Sequence, residues 1–410
     1  MKIIRSSKHF FHHLNKIKIC NINSFLIDYR LAVQNYIDFI WNNPISWKTS
    51  KNEDKCLDIN NMSLDCPPFL DYKIINFNSN LSARALSSAM TQALGIVKSK
   101  TNDVRKRQFA LSKQDTPFLR EKLDKAIKRL KKPILSDKFK AELSSKNIKL
   151  EKTKSANHFE YWLHFYSLGS TKSFYIPIKL HKQDYKLLKR QFNLMSSFLI
   201  GTNCIEIRYQ KEIEKREIGE VVGCDIGINT MAQFSHKEEN EIRINGLTYK
   251  DTVERVSRKR KGSKNFKQAI ETRKNVINAI LNIVNFNKVR QINLEDNGKL
   301  KYKRMTSKLI RHHAYGEIKQ KIERIAEELG VQVIMQRSNY KSQRCSECGW
   351  TQKKNRKGKE FNCQRCGYKS DADYNASVNN KLKLSWLDYK SINERKLNHE
   401  GFKWEVEVGG

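Results

Sequence analysis

Residues 220–228 read EVVGCDIGI. Val221, Val222, Gly223 and Cys224 form a short apolar run that ends on Asp225 and then a glycine turn. A run of this length without polar alternation is what a strand covered on both faces looks like. Working outward, VRQINLED (289–296) reads as a second strand and again ends on carboxylates. Between the two, residues 250–285 read as helical and basic, with 10 Lys/Arg against 3 Asp/Glu from Lys250 to Lys274. Residues 313–329 give an amphipathic helix, with Ile318, Ile322, Ile325 and Leu329 on one stripe and Gly330 as its stop. VQVIM (331–335) is a further strand, and DADYNASVNNKL (371–382) opens a last helix. Strands alternating with helices place this half of the chain in the α/β class.

Upstream the character differs. KIIRSSKHF (2–10) is a β-like opening, and NSFLIDYRLAVQNYIDFIWN (23–42) carries apolar residues at helical steps. A second helical stretch covers 80–111, and from Val97 to Pro133 there are 13 Lys/Arg against 4 Asp/Glu. HFEYWLHFYS (158–167), STKSFYIPIKL (170–180) and NCIEIRYQ (203–210) alternate as strands do, and Pro177 marks an edge. These strands suggest a small antiparallel barrel completed by the N-terminal strand. The aromatics Tyr29, Phe39 and Trp41 read as core before base-stacking groups.

The chain has 410 residues with 79 Lys/Arg and 43 Asp/Glu, a formal net charge of +36. That much charge opposes compaction unless a polyanion neutralises it, and nucleic acid is the default partner. An anionic membrane surface and a merely solvated basic surface are the alternatives. The clusters Arg105–Lys106–Arg107, Lys128–Arg129 with Lys131–Lys132, and Arg258–Lys259–Arg260–Lys261 are candidate phosphate contacts, each against the plainer reading of a solvated helix face. No apolar run reaches the roughly 20 residues of a membrane span, which excludes an integral membrane protein; with nucleic acid preferred over a membrane surface, no membrane partner is expected. The opening lacks the apolar core of a secretory signal, and the nine cysteines are an odd number. Both point to a reducing compartment, the cytoplasm with nucleoid association if the source is prokaryotic.

Cys345-x2-Cys348-x14-Cys363-x2-Cys366 is a zinc-ribbon spacing: each C-x-x-C offers two thiolates to one tetrahedral ion, and Gly349 and Gly367 ease the two turns. Four thiolates leave no open position, so this ion is structural. It would support a small basic finger with Arg344, Lys353, Lys354, Arg356, Lys357 and Lys359 around it. Three carboxylates form the second signal. Asp225 and Glu295 end buried strands, and Asp373 follows the second cysteine pair. Buried carboxylates are costly unless a cation neutralises them. Two divalent ions about 4 Å apart, held by oxygen ligands that suit Mg²⁺ or Mn²⁺, would orient water and stabilise the attacking and leaving oxygens of a phosphodiester. Taken singly, Asp225 is equally a turn residue, Glu295 a solvated strand end, and Asp371 or Asp373 a helix cap.

Resemblance adds what spacing leaves open. GCDIGINTMAQFS, RKRKGSKNFKQA, INLED, YKSQRCSECG and FNCQRCG followed by DADYNASVN resemble the TnpB family, in its order and at its spacing. These are transposon-encoded RNA-guided nucleases related to the type V CRISPR effectors and to Fanzor. RLAVQNYIDFIW, LSARALSSAMTQALGIV and YIPIKL resemble the family's recognition and wedge regions, so the likeness covers nearly the whole chain. It implies a RuvC-like fold of the RNase H type with a zinc ribbon, a β-barrel wedge and a helical recognition lobe. The implied division is wedge strand 1–20, recognition lobe 21–145, wedge barrel 146–218, nuclease 219–343, zinc ribbon 344–368, the end of the nuclease 369–385 and a C-terminal tail 386–410. Asp225, Glu295 and Asp373 match the catalytic carboxylates, Asp373 rather than Asp371 because the family's last motif is D-x-N-A. Ser377 departs from a frequent alanine, and HHAYGE (312–317) lacks a common tryptophan.

The implied activity is RNA-guided cleavage of double-stranded DNA beside a short motif, with a guide RNA and target DNA as partners. A nucleic-acid-binding regulator without cleavage and a guide-free RNase H-type nuclease are the competing readings. Transposon nuclease against CRISPR effector, and monomer against homodimer, stay open at this level.

Overall fold

The computed structural model describes residues 1–11, 14–112, 117–128, 131–153, 159–169, 172–236, 242–296, 307–336, 340–385, 387, 392 and 396–407. They divide into two compact units, residues 4–211 and residues 1–3 with 212–410. Among the described residues no helix is long and apolar enough to cross a membrane.

The first unit opens with β1 (Lys2–Phe10) and α1 (Lys16–Asn42). The helix begins seven residues before the apolar pattern. Its first turn is solvent-facing, and Asn15 caps it by accepting from Lys18 N at 2.9 Å. Ile22, Phe25, Tyr29, Val33, Tyr36 and Ile40 make its buried stripe, so Tyr29 is core as read. Three short strands follow inside the segment expected to be helical: β2 (Ile45–Lys48), β3 (Asp54–Asp58) and β4 (Ser63–Leu64), an antiparallel meander. α2 (Ala83–Ser112) packs along α1 through Ala85, Ala89 and Ala93, whose small side chains allow close approach. α3 (Pro117–Lys128) comes next.

The β-rich part contains β5 (Ala141–Ser144), β6 (Ile148–Lys152), β7 (Tyr161–Phe165), β8 (Phe174–Ile178), α4 (Lys182–Lys189), β9 (Asn193–Ile200) and β10 (Cys204–Glu212). Among the described residues its strands form two sheets rather than one hydrogen-bonded ring. The four-stranded sheet has the order β1-β10-β9-β5, so the N-terminal strand does complete it. The three-stranded sheet is β6-β7-β8, with Pro177 on an edge strand. β5 pairs with β9 from Ala141 to Ser144, upstream of the expected boundary at 145/146. A polar staple joins β1, α4 and β10. Buried Asp184 accepts from Tyr209 Oη at 2.8 Å and from His181 N at 2.6 Å, and His9 Nε2 lies 3.3 Å away. Burial pushes the Asp184 carboxyl up, but these partners outweigh it and hold it at about 2.

The second unit is built on β11 (Glu220–Asp225), β12 (Gln233–Phe234), α5 (Tyr249–Ser257), α6 (Lys264–Ile283), β13 (Val289–Glu295), α7 (Lys308–His312), α8 (Tyr315–Leu329) and β14 (Gln332–Gln336). The sheet order is β12-β11-β13-β14; β11, β13 and β14 run parallel and β12 antiparallel. Val253 of α5, Ile277 and Ile280 of α6, and Ile318 and Ile322 of α8 bury against Val222, Ile292 and Leu294 of the strands. Gly330 ends α8 in the left-handed conformation, φ 72°. The basic stretch 250–285 is two helices rather than one. They break at Arg258–Ser263, where Gly262 takes φ 88°, so Arg258–Lys261 stand on an exposed corner.

The remaining elements are β15 (Trp350–Thr351), β16 (Arg356–Lys357), β17 (Glu360–Asn362), β18 (Lys369–Asp371), α9 (Ala372–Lys381) and β19 (Phe402–Lys403). β16, β17 and β18 form a small antiparallel sheet. The segment expected to be a tail contributes β19, which pairs with β15, and buries Trp404. The terminal 408–410 lie outside the described residues.

Candidate active site and metal centre

β11 and β13 are parallel neighbours with Cys224 opposite Leu294, which sets Asp225 and Glu295 side by side at the carboxyl ends of their strands. The two side chains are hydrogen-bonded to each other. α9 supplies the third carboxylate, and Gly223 is what lets it come close. A Cβ on Gly223 would lie 2.0 Å from Ser377 O and 2.3 Å from Lys381 N. Asn380 Nδ2 donates to Cys224 O at 3.1 Å and Asn293 Nδ2 to Asn380 O at 3.0 Å, fixing the helix across both strands.

The ambiguity between Asp371 and Asp373 resolves in the capping geometry. Asp371 is the N-cap of α9, accepting from Asp373 N at 2.8 Å and Tyr374 N at 3.0 Å. Asp373, two residues later in the first turn, is buried and faces the other two acids. Burial first, then the charges of Glu295 and Asp373, push the Asp225 carboxyl well above the usual range, and Arg356 opposes the shift. Carboxylates gathered in this way repel one another unless positive charge is supplied, and an oxygen-only donor set is of the kind that suits Mg²⁺ or Mn²⁺. Arg356 of β16 supplies some of that charge, with Nη2 2.9 Å from Asp373 Oδ1. Lys341 is a second cation the sequence did not single out. It is buried, bonds Gln336 Oε1, and is pushed down to about 8 by burial despite the pull of Glu295. Tyr315 Oη donates to the backbone oxygen of Glu295 and braces the end of β13.

Among the described residues, Cys345, Cys348, Cys363 and Cys366 are the one group of three or more His, Cys, Asp or Glu ligand atoms lying within 4.8 Å of one another. The three carboxylates do not close to that spacing. The two knuckles repeat each other. Cys345 N donates to Trp350 O at 2.9 Å and Gly349 N to Cys345 O at 3.1 Å; Cys363 N donates to Tyr368 O at 2.9 Å and Gly367 N to Cys363 O at 3.0 Å. Gly349 and Gly367 take φ 75° and 76°. Cys345 and Cys366 sulfurs are 3.7 Å apart, Cys348 and Cys363 sulfurs 3.6 Å. A tetrahedral ion with metal–sulfur bonds of about 2.3 Å needs sulfurs about 3.8 Å apart, so the donor set fits a closed four-thiolate site.

The ribbon and α9 are interlocked. Asn375 Nδ2 donates to Arg344 O at 2.8 Å and its Oδ1 accepts from Ser346 N at 3.0 Å. Asn379 Nδ2 donates to Arg344 O at 2.7 Å and Lys341 O at 3.0 Å. Arg344 is therefore not a surface contact. It is buried, with Nη1 on Asn379 Oδ1 at 2.6 Å and Nε on Trp404 O at 2.9 Å. Lys353, Lys354, Lys357 and Lys359 are exposed as expected.

The basic clusters divide. In the first, Arg105 pairs with Asp65 and Arg107 donates to Ala126 O at 3.1 Å, while Lys106 is exposed. In the second, Lys128 pairs with Asp124 at 2.8 Å and Lys132 with Asp38 at 3.0 Å; Lys131 is exposed and Arg129 lies outside the described residues. In the third, Arg258 pairs with Glu254 at 2.9 Å, and Lys259, Arg260 and Lys261 are exposed.

With the carboxylates, the four cysteines and α9 in place, residues 315–380 match the family model described as Cas12f1-like, TNB domain. The chain is 46% identical over 74 residues to the CRISPR-associated endodeoxyribonuclease Cas12f1 of Sulfoacidibacillus thermotolerans, covering 18% of each chain. It is 40% identical over 65 residues to the Cas12f1 of Syntrophomonas palmitatica, covering 16% of this chain and 13% of that one. The matched stretch is thus under a fifth of either relative's length. Among solved structures it is similar to a Cas12f1–sgRNA–target DNA complex, at TM-score 0.46 and 14% identity over 93% of this chain and 99% of that one. It is also similar to CasPhi-2 (Cas12j) bound to crRNA, at TM-score 0.39 and 8% identity over 92% and 97%. The resemblance to TnpB-like nucleases and compact type V effectors read from the motifs is borne out.

Proposed function

We propose that the chain is an RNA-guided DNA endonuclease that hydrolyses phosphodiesters at Asp225, Glu295 and Asp373. The observation that carries this reading is the meeting of three acids from β11, β13 and α9, each on a different element, with Asp373 buried and Asp225 and Glu295 half-buried. Residues 219–343 and 369–385 would form the RuvC-like nuclease, with 344–368 as the inserted zinc ribbon. Residues 1–20 and 146–218 would form the wedge and 21–145 the recognition lobe. Guide RNA and target double-stranded DNA are the partners this reading assigns, and the relatives named for DNA cleavage support it. The protein would read a short motif beside the target, and base pairing the rest.

Asp225, Glu295 and Asp373 would hold two Mg²⁺ or Mn²⁺ ions, which when bound activate water and stabilise charge on the scissile phosphate. The chain's own part is to fix the acids. β11 and β13 hold Asp225 and Glu295 in register, Asp371 turns the start of α9, and Arg356 balances Asp373. The four cysteines would hold one Zn²⁺ that keeps the start of α9 against the strands through Asn375 and Asn379, with no part in the chemistry.

The test is Asp225→Ala. Removing the acid should abolish Mg²⁺-dependent cutting of guide-matched DNA while leaving guide RNA binding intact. Retained cutting in the variant would overturn the assignment. Wild-type protein that binds guide and target yet never cuts would favour the regulator reading.

A further inference from the structure

The three-stranded sheet β6-β7-β8 carries a face that the nuclease reading leaves unused. Its side chains alternate. Ile148, Leu163, Phe165, Ile176 and Ile178 are buried on one side. The other side is turned to solvent, and its rows across the sheet are Lys149–His164–Tyr175 and Glu151–Trp162–Pro177. A solvated face of an antiparallel sheet is ordinarily polar. Single exposed apolar side chains need no explanation, but here the rings meet. Tyr175 stacks on His164, with ring centroids 4.2 Å apart and planes 15° from parallel. Trp162 stands at 88° to Tyr175 at 6.4 Å, and Tyr166 tilts against His164 at 4.4 Å. Trp162 is 36% exposed and Tyr175 43%. One face of the Tyr175 ring is taken by His164, so its exposure lies on the opposite face and the rim. The result is a corner, an aromatic floor with an aromatic wall at a right angle to it.

The corner is held in advance. His164 Nε2 lies 2.9 Å from Ser173 Oγ, and Lys18 Nζ donates to Tyr175 O at 2.7 Å. That second bond, together with Pro177, blunts the outer edge of β8 against a further strand, so a partner meets the face and not the edge. From Lys146 to Lys182 the chain has 7 Lys/Arg against 2 Asp/Glu, and a polyanion is the complementary partner. Every nucleobase offers a flat face to an aromatic ring, and an unpaired base is the one free to reach it. Glu151 stands on the same face, 3.5 Å from Lys149 Nζ and 3.8 Å from His164 Nδ1. A carboxylate there repels phosphate but accepts from a ribose 2′-hydroxyl, which deoxyribose lacks. This favours RNA over DNA.

We propose that this sheet face binds single-stranded RNA by stacking an unpaired base on Tyr175 against Trp162. The inference rests on the RNA-binding part of the reading above and not on cleavage. Stacking is tolerant of sequence, and unlike a phosphate contact it releases no counterion. The face would therefore hold an unpaired stretch of guide whatever its bases, and its share of the affinity would survive in salt that weakens the basic surface around it.

Full-length Trp162→Leu and Tyr175→Leu test it, with Trp162→Phe and Tyr175→Phe as variants that keep a ring. The probes are a short labelled oligouridylate, an oligodeoxyuridylate of the same length and a fully paired RNA duplex. Each leucine variant should bind the oligouridylate at least about fivefold more weakly, while the log–log salt slope stays unchanged because no phosphate contact is lost. Duplex binding should not move, which shows that the fold and its basic surface are intact, and the phenylalanine variants should bind as the wild type does. With 5-iodouridine in the oligouridylate, irradiation should crosslink the RNA to a peptide holding Trp162 or Tyr175. Wild-type protein that binds the oligouridylate, with leucine variants that bind it equally well, would overturn this inference and leave the guide reading standing. A wild type that binds no RNA would overturn both. A slope that falls by about 1 would mean a phosphate contact in place of stacking and would also overturn it. Equal wild-type affinity for the two single strands would refute the choice of RNA.

Discussion

Gly223→Ala reaches the candidate active site without touching a charged group. The added carbon would lie 2.0 Å from Ser377 O, 2.3 Å from Lys381 N and 2.8 Å from Asn380 C, all backbone atoms of α9. Ordinary contact is about 3.5 Å, so the helix must retreat by roughly 1.5 Å. Overpacking of this kind costs about 1–3 kcal/mol of stability. That is survivable for a fold of this size. The effect on chemistry is larger, because Asp373 rides on α9 while Asp225 and Glu295 stay on the sheet. A displacement of about 1 Å costs on the order of 100-fold in rate. The variant should therefore fold, bind guide RNA and retain its zinc, yet cut guide-matched DNA at least about 100-fold more slowly in single-turnover assays. Wild-type cleavage with a lowered melting temperature would show that α9 does not position Asp373, and would refute the reasoning.

Three further expectations follow from the same geometry. Arg356→Gln removes a cation that competes for Asp373; for a pair worth about 1 kcal/mol, half-saturation by Mg²⁺ should move about fivefold lower, and a shift upward would contradict the pairing. Titrating the thiols with a mercurial should release one zinc ion per chain to a chromogenic chelator, and Cys345→Ser should release none and lose cleavage, because Asn375 and Asn379 no longer meet an ordered Arg344–Ser346 segment. Asp184 sits at about 2 in the fold against an ordinary 3.8. Its stabilising share is thus present above about pH 3.8 and lost as pH falls towards 2. Acid unfolding of Asp184→Asn should lack a component of about 2 kcal/mol that the wild type shows over that window.

The strands ending on Asp225 and Glu295, the stop at Gly330 and the two cysteine knuckles were legible because each is a local event: an apolar run, a glycine, a fixed spacing. The choice between Asp371 and Asp373 was not local, since either could cap a helix, and the residues alone left it open. The structure gives the cap to Asp371. Arg344 and Arg356 looked alike as ribbon cations, but one is buried under Trp404 and the other faces Asp373. That difference is made by β19, dozens of residues downstream. α1 was read short because its first turn is solvent-facing and carries no stripe. The break at Arg258–Ser263 went unread because composition is uniformly basic across it. Asn375, Asn379 and Asn380 have no periodic signature, since they serve contacts on opposite sides of α9.

The pairing of β19 with β15 has a consequence for the order in which this protein comes into being. Arg344 is satisfied only when the Trp404 carbonyl has arrived, and Asn375 and Asn379 in turn depend on Arg344. Residues 4–211 form their own unit and can complete it while the rest is still being made, as nascent domains do. The acids on β11 and β13 leave the ribosome long before Asp373, and Asp373 leaves before the strand that locks its support. On the function proposed above, competence for cutting would be completed only when the last part of the chain arrives. A nascent chain would then hold its first folded unit complete while the three acids still lack the support that fixes the third.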